Sequence, residues 1–188
     1  GQRLAGVSIM LTKDRTVFVA DTTVTELPTP RETAEIAVMV ASLARRLGHE
    51  PRAAMLSFST FGNPVREKAL PVREAVTELD AMKAAGSAAV DFEYDGEMSA
   101  EVALDRDLMK NLYPFCRLSG AANVLVMPGL HSANIVSQVM EKLGGGTVIG
   151  PLLVGLAKPA QIVQLGASVS DIVNTAALAA YDAIALKR

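Results

Sequence analysis

The chain predicts an α/β fold of the layered α/β/α type, with a mostly parallel sheet and an antiparallel hairpin at its edge. After two opening strand runs, strand and helix patterns alternate to the end of the chain, the order that parallel crossovers produce. The apolar residues are chiefly Ala, Val, Leu, Ile and Met, with five Phe, three Tyr and no Trp. An aliphatic core of this kind suits helices packed on a parallel sheet. At 188 residues the chain has the length of one ordinary domain, and such a domain buries roughly 70% of its unfolded surface.

Residues 7–11 and 16–20 read as strands joined by the polar turn Lys13-Asp14-Arg15, a hairpin signal. Thr29-Pro30-Arg31-Glu32 is a capping box with proline at the first helical position. The helix that follows carries Ala34, Ala37, Ala41 and Ala44 on one face and stops at Gly48. Residues 53–58 read as a buried strand and 59–64 as a loop. Residues 71–84 have helical spacing through Val72, Ala75, Val76, Leu79 and Met82. Residues 89–94 read as a strand, with Asp95-Gly96-Glu97 beyond its end. Ser99 caps a predicted helix to Leu112, closed by Pro114. Residues 123–127 form the next strand, and Ser132 caps a helix to Leu143. Residues 147–156 contain a strand, and Ser168-Val169-Ser170-Asp171 opens a last helix to about Leu186.

A net charge of −2 without a basic stripe argues against nucleic acid as a partner. Cys116 is the only cysteine, so no internal disulfide forms, and no Cys/His metal spacing is present. The longest strongly apolar run, residues 147–157, is too short to cross a bilayer. The expected setting is a reducing cytoplasm. From Gly120 to Arg188 only seven residues are charged. One small unit does not easily bury so apolar a tail, so part of it is expected to face another domain or subunit. The chain is expected to be part of a longer protein.

Ligands of open α/β sheets bind beyond the carboxyl ends of the strands, which directs attention to four loops. In the first, Ser59 and Thr60 with the backbone near Gly62 can hold a phosphate, although an ordinary polar loop is the simpler reading. The second holds Asp91, Glu93, Asp95 and Glu97. These can bind a metal or serve as acid and base, but a solvated strand end is the simpler reading. The third, residues 128–134, places His131, Ser132 and Asn134 at a helix N-terminus, a natural anion site, with a loop histidine and a cap as the plain alternative. The fourth, residues 158–171, contains Lys158, Gln164 and Asp171, and a capping role suffices for Asp171. Cys116 has no paired histidine and reads as inert packing. Tyr181, on the last helix, is compatible with core, interface or ligand contact.

In order along the chain, 17-VFVAD-21, 50-EPRAAMLSFST-60, 95-DGE-97, 149-IGP-151, 155-GLAKP-159 and 168-SVSDIVN-174 resemble the phosphate acetyl/butyryltransferase family. The stretches 18-FVADTTV-24, 91-DFEYDGEM-98, 113-YPFCRLS-119 and 147-TVIGPLLVG-155 are similar to the C-terminal module of bacterial NADP-dependent hybrid malic enzymes. The resemblance implies the phosphotransacetylase-type, isocitrate/isopropylmalate dehydrogenase-like architecture. Residues 1–156 would be the second α/β domain of that module, and residues 157–188 the segment returning to an absent first domain. It implies an N-terminal malic enzyme unit in the same polypeptide, which would carry NADP and a divalent metal and oxidise malate to pyruvate. It also implies homo-oligomers and inhibition by acetyl-CoA.

The family carries a Ser-Arg pair where this chain has Gln164-Leu165, so the phosphate clamp and hydroxyl of an acyltransferase are lost. Asp171 matches the family aspartate. The resemblance therefore implies a degenerate transferase site at Gln164, Leu165 and Asp171. An acetyl-CoA site would draw on Ser59, Thr60, Asn134, Lys158, Gln164 and Tyr181, with no metal and no cofactor in this segment. An active phosphate acetyltransferase and a purely structural dimerisation module are the alternatives.

Overall fold

In the computed structural model, residues 3–144 and 146–185 are described. The chain runs β1 (Ala5–Leu11), β2 (Thr16–Ala20), α1 (Pro30–Arg46), β3 (Arg52–Leu56), α2 (Leu70–Ala84), β4 (Glu93–Met98), α3 (Ala100–Leu104), α4 (Arg106–Leu112), β5 (Val124–Val126), α5 (Leu130–Leu143), β6 (Thr147–Val154) and α6 (Val169–Ala185). The strands form one sheet in the order β4-β3-β5-β2-β1-β6. β2, β5, β3 and β4 are parallel, and β1 is antiparallel to both of its neighbours. The mostly parallel α/β sheet with an antiparallel hairpin is thus present. The hairpin does not lie at the edge, however. β6 returns from the far end of the chain and pairs along β1, satisfying its outer N–H and C=O groups.

The period of two along each strand divides the core between the faces. Phe18 and Ala20 of β2, Ala53 and Met55 of β3, and Val124 and Val126 of β5 face α1 and α2. Val17 and Val19, Ala54 and Leu56, and Leu125 face the layer of α3, α4 and α5. α1 begins as its sequence dictates. Thr29 Oγ1 accepts from the Glu32 N–H, and Glu32 accepts from the Thr29 N–H at 2.8 Å. Its four alanines are buried, which lets the helix approach the sheet, while Ile36, Val40 and Leu43 fill the gaps on either side. Each of those three contributes about 1.5–3 kcal/mol by burial.

Three local expectations are corrected. β4 starts at Glu93 rather than at residue 89, so Asp95-Gly96-Glu97 lies within a strand and not beyond it. The helix opened by Ser99 breaks at Asp105, whose carboxylate caps α4 by accepting from the Asp107 and Leu108 N–H groups. Gly129, not Ser132, occupies the N-cap of α5, and the Ser132 hydroxyl donates back to the Gly129 carbonyl. The expected end of the last helix at Leu186 lies outside the described residues.

α6 packs by Leu178 against the α1 side of the core, Asp182 pairs with Arg46 at 3.3 Å, and the Tyr181 hydroxyl donates to the Arg46 carbonyl at 2.6 Å. Its Val169, Ile172, Val173 and Ile184 remain exposed.

Candidate functional site

A cavity of about 320 Å³ opens at the carboxyl ends of β2 and β5, where the sheet turns from parallel to antiparallel pairing. Such strand ends are where open α/β sheets bind ligands. Ser8 of β1, Thr22 and Thr23 after β2, the first turns of α5, and Gly150 and Pro151 of β6 line it, and Gln164 reaches it from the segment before α6.

Asp21 organises the first wall. Its buried carboxylate accepts from the backbone N–H groups of Gly6, Thr23, Val24 and Thr25 at 2.8–3.0 Å. This folds the turn after β2 back over β1 and presents Thr22 and Thr23. Thr22 Oγ1 accepts from the Ser8 hydroxyl at 3.2 Å. The opposite wall is a β-bulge, with Val7 paired to Leu152 and Ile9 to Ile149, so that Gly150 and Pro151 together face Ser8. Bulges bend a strand and re-aim its side chains, and they recur beside functional sites. Glycine is required there. The φ of Gly150 is +121°, and a Cβ would lie 2.7 Å from the Val7 carbonyl oxygen.

The third wall is α5. Asn134 and Gln138, one turn apart, are joined by a 3.0 Å hydrogen bond from the Gln138 amide to Asn134 Oδ1. Next to them, Ser137 is 9% exposed, and its hydroxyl has no hydrogen-bond partner among the described residues. A buried hydroxyl left unpaired costs about 1–3 kcal/mol, and in a native site it marks a place where function can claim a donor. The remaining wall is held by Gln161, whose side-chain amide pairs with both the N–H and the C=O of Leu153 at 2.8 and 3.1 Å. That pairing copies a strand partner and fixes the segment from which Gln164 projects.

Of the residues singled out in the sequence, Asn134 and Gln164 meet in this cavity, and His131 joins them. The others lie elsewhere. Ser59 is fully buried, with its Oγ 2.9 Å from both the Pro64 carbonyl oxygen and Glu97. Thr60 accepts from the Ser99 N–H at 3.0 Å. Lys158 is exposed on the segment after β6. The Tyr181 hydroxyl is engaged with α1 as described above. Leu165 points fully into solvent. Asp171 caps α6 reciprocally with Ser168, accepting from its N–H at 2.8 Å while the Ser168 hydroxyl accepts from the Asp171 N–H. Sequence reasoning gave no role to Ser8, Asp21, Thr22, Ser137, Gly150 or Gln161. The Asp21-Thr22-Thr23 turn was legible as a family-like stretch, but the bulge and the orphan hydroxyl appear only once β6 pairs with β1.

The second half of the acidic stretch, Asp95 and Glu97, proves to be interior structure rather than a solvated strand end, while Asp91 stays exposed. Glu97 is completely buried and takes a bidentate pair from Arg73, both contacts at 2.9 Å, together with the Gly62 N–H at 2.8 Å. Burial alone would raise its pKa, but Arg73, the Gly62 N–H and the Ser59 hydroxyl outweigh that and hold it at about 2. Asp95 accepts from the Gly96 and Arg117 N–H groups, Glu93 from the Ser119 N–H, and Asp91 pairs with Arg45. The four carboxylates serve four different partners. Among the described residues, no three His, Cys, Asp or Glu side chains converge to hold a metal. No helix among them is long and apolar enough to cross a membrane. Cys116 is buried, which pushes its thiol up to about 11.

This sheet order, with a cavity at the parallel-to-antiparallel junction, defines an open α/β domain with a mixed sheet and a candidate ligand site at its strand ends. The sequence matches the phosphate acetyl/butaryl transferase family over residues 1–180, and the chain belongs to that family. It is 57% identical to an NADP-dependent malic enzyme of Rhizobium meliloti over 97% of this chain and 23% of that protein. It is 43% identical to a phosphate acetyltransferase of Paracoccus denitrificans over 81% of this chain and 46% of the other. Among solved structures, the EutD phosphotransacetylase from Staphylococcus aureus superposes with a TM-score of 0.88 at 31% identity, covering 96% of this chain and 54% of that one. The chain thus spans about a quarter of the malic enzymes it matches and about half of the transacetylase.

Proposed function

We propose that this chain is the phosphotransacetylase-like C-terminal part of an NADP-dependent malic enzyme. In this reading it no longer transfers acyl groups, but binds acetyl-CoA as an effector and helps to assemble the enzyme. Residues 1–156 act as the second domain of the module. Residues 157–188 return to a first domain outside this chain, in keeping with the exposed apolar side chains of α6. NADP and the divalent metal of malate oxidation belong to the unit outside this chain, and the protein is cytoplasmic.

The observation that carries the reading is the charge of the cavity. Among the described residues its polar lining is hydroxyl, amide and imidazole, and the one carboxylate or ammonium-type charge is Glu141. Transfer of an acyl group to or from phosphate requires the migrating phosphate to be neutralised, and a planar guanidinium does this best. Here the position that the family resemblance assigns to arginine is Leu165, turned into solvent. A thioester with its neutral pantetheine arm meets suitable hydrogen-bonding groups in Ser8, Thr22, Asn134, Ser137 and Gln164, which need no charge to hold it. An effector bound there shifts malate oxidation only through different affinity for the active and inactive states.

The test uses the full-length polypeptide. Malate-dependent NADPH formation is followed with and without acetyl-CoA, and acetyl phosphate with coenzyme A is offered in a separate thioester assay. The reading expects altered malate kinetics, measurable heat of acetyl-CoA binding, and no thioester formation above background. Enzymatic thioester formation refutes the loss of transfer. Absence of heat at millimolar acetyl-CoA refutes the effector role.

A further inference from the structure

The opposite end of the sheet is also concave. At the amino ends of β2, β3 and β5 lies a hollow of about 550 Å³. Lys13, Asp14 and Arg15 of the β1–β2 turn line it, with His49 before β3, Arg52 at the start of β3 and Asn123 before β5. Three cationic side chains thus meet a single carboxylate, in a chain whose net charge is −2. Arg3, Arg45, Arg46, Arg73 and Arg117 each hold a carboxylate. Among the described residues, Lys13, Arg15 and Arg52 take part in no ion pair.

The Arg52 side chain is fixed in place. Its backbone N–H donates to Asn123 Oδ1 at 2.7 Å, and the Asn123 amide donates to the Glu50 carbonyl at 2.8 Å. Arg52 Nε donates to the Ala121 carbonyl at 2.8 Å, which engages one of the three guanidinium nitrogens. The two terminal nitrogens have no hydrogen-bond partner among the described residues, although Arg52 is half-buried. A cation drawn partly out of water without a counter-charge carries a desolvation cost, which an anion at that place offsets. Arg15 is tethered too, by a 3.1 Å bond to the Leu104 carbonyl, and its turn is closed by the Thr12 N–H donating to the Arg15 carbonyl at 3.0 Å. The His49 ring stands edge-on to the buried Phe18 ring, 5.5 Å between centres.

We propose that this hollow binds a small phosphoryl-bearing molecule, its anionic oxygens held by Arg52, Arg15 and Lys13 beside the His49 ring. One planar guanidinium satisfies a carboxylate, whereas here cations converge from separate segments, as a tetrahedral dianion requires. A hollow lined mainly by one sign of charge also concentrates counter-ions. Three cations in one place match a phosphoryl group or two, and fall short of the extended track that a nucleic acid needs. The hollow shares no lining residue with the cavity at the carboxyl ends, so the proposal is independent of the acetyl-CoA reading.

The test offers pyrophosphate to the full-length protein at a constant ionic strength of about 0.1 M, set with potassium chloride. Calorimetry measures the affinity, and hydrogen–deuterium exchange with and without pyrophosphate maps the site. The expected result is saturable binding tighter than about 1 mM, with slower exchange in residues 12–16 and 49–53. Lys13 is exposed and its ammonium has no partner among the described residues, so Lys13→Gln should fold normally and bind roughly tenfold more weakly. Arg52→Gln, with its fold checked by circular dichroism, should abolish the protection. Inorganic phosphate is titrated in parallel. Equal affinities assign the site to the free ion, tighter pyrophosphate binding assigns it to a larger phosphoryl ligand, and both uphold it. No heat at about 10 mM pyrophosphate, protection only elsewhere in the polypeptide, or undiminished affinity in Lys13→Gln overturns the proposal. Displacement of pyrophosphate by a single-stranded oligonucleotide at micromolar concentration overturns the small-molecule assignment.

Discussion

Replacing Glu97 by glutamine keeps the shape of the side chain and removes its charge, and so isolates what the Arg73–Glu97 pair contributes. The carboxyl sits at about 2 instead of 4.5, which corresponds to roughly 3 kcal/mol at 1.36 kcal/mol per pH unit. Arg73 is partly exposed, and solvent screening trims the figure to about 2–3 kcal/mol. The pKa is lower in the folded than in the unfolded state, so this stability is fully present above pH 4.5. It is lost as pH falls through the interval down to about 2. Other carboxylates, Glu32, Glu35, Asp80 and Asp91 among them, are also held below their ordinary values by their partners. The informative quantity is therefore the difference between wild type and Glu97→Gln. Urea titrations at a series of pH values should give a gap of about 2–3 kcal/mol at pH 7 that narrows steadily below pH 4.5. A gap under ~0.5 kcal/mol at neutral pH, or one unchanged at pH 3, refutes the account of Glu97 as a charged, paired strut.

Three further outcomes follow from the same structure. Gly96→Ala places a Cβ 2.7 Å from the Met55 carbonyl oxygen at a φ of +146°. It should cost at least about 2 kcal/mol, or roughly 4–8 °C in Tm by calorimetry, and an unchanged Tm contradicts the geometry. Ser137→Ala removes a hydroxyl that has no hydrogen-bond partner among the described residues. Stability should hold or rise by up to about 1 kcal/mol in denaturant titration, and a loss above that shows the hydroxyl to be bonded. Cys116, with its thiol pushed up to about 11 by burial, should react with a disulfide reagent at pH 8 only as fast as the protein unfolds. Immediate stoichiometric labelling disproves its burial.

Much of the fold was legible because local rules sufficed. The Thr29–Glu32 box, the alanine face of α1 and the Ser168–Asp171 cap each satisfy their own hydrogen bonds within four residues. β4 was misplaced for the opposite reason. Asp95 and Glu97 look like loop residues until Arg117, Arg73 and Gly62, distant in sequence, supply the partners that let carboxylates lie in the interior. Ser59 and Thr60 had the composition of a phosphate loop, and the same network turns them inward. Asn134 and Gln164 were both named, but no pattern in the chain reveals that residues 30 positions apart share one cavity wall with Ser8.

By itself, the order of residues determined the alternation of strands and helices, the starts of α1, α3 and α6, the aliphatic two-faced core and the family likeness. These depend on periodicity and on contacts between near neighbours. Only the tertiary structure decided that β6 closes over the hairpin, that the resulting bulge and the Asp21 turn shape a cavity whose one charged lining residue, among those described, is Glu141, and that Phe61 stacks on the exposed Phe115. Each of these results from pairing between segments remote along the chain, whose energy depends on where the backbone brings them and not on which residues flank them.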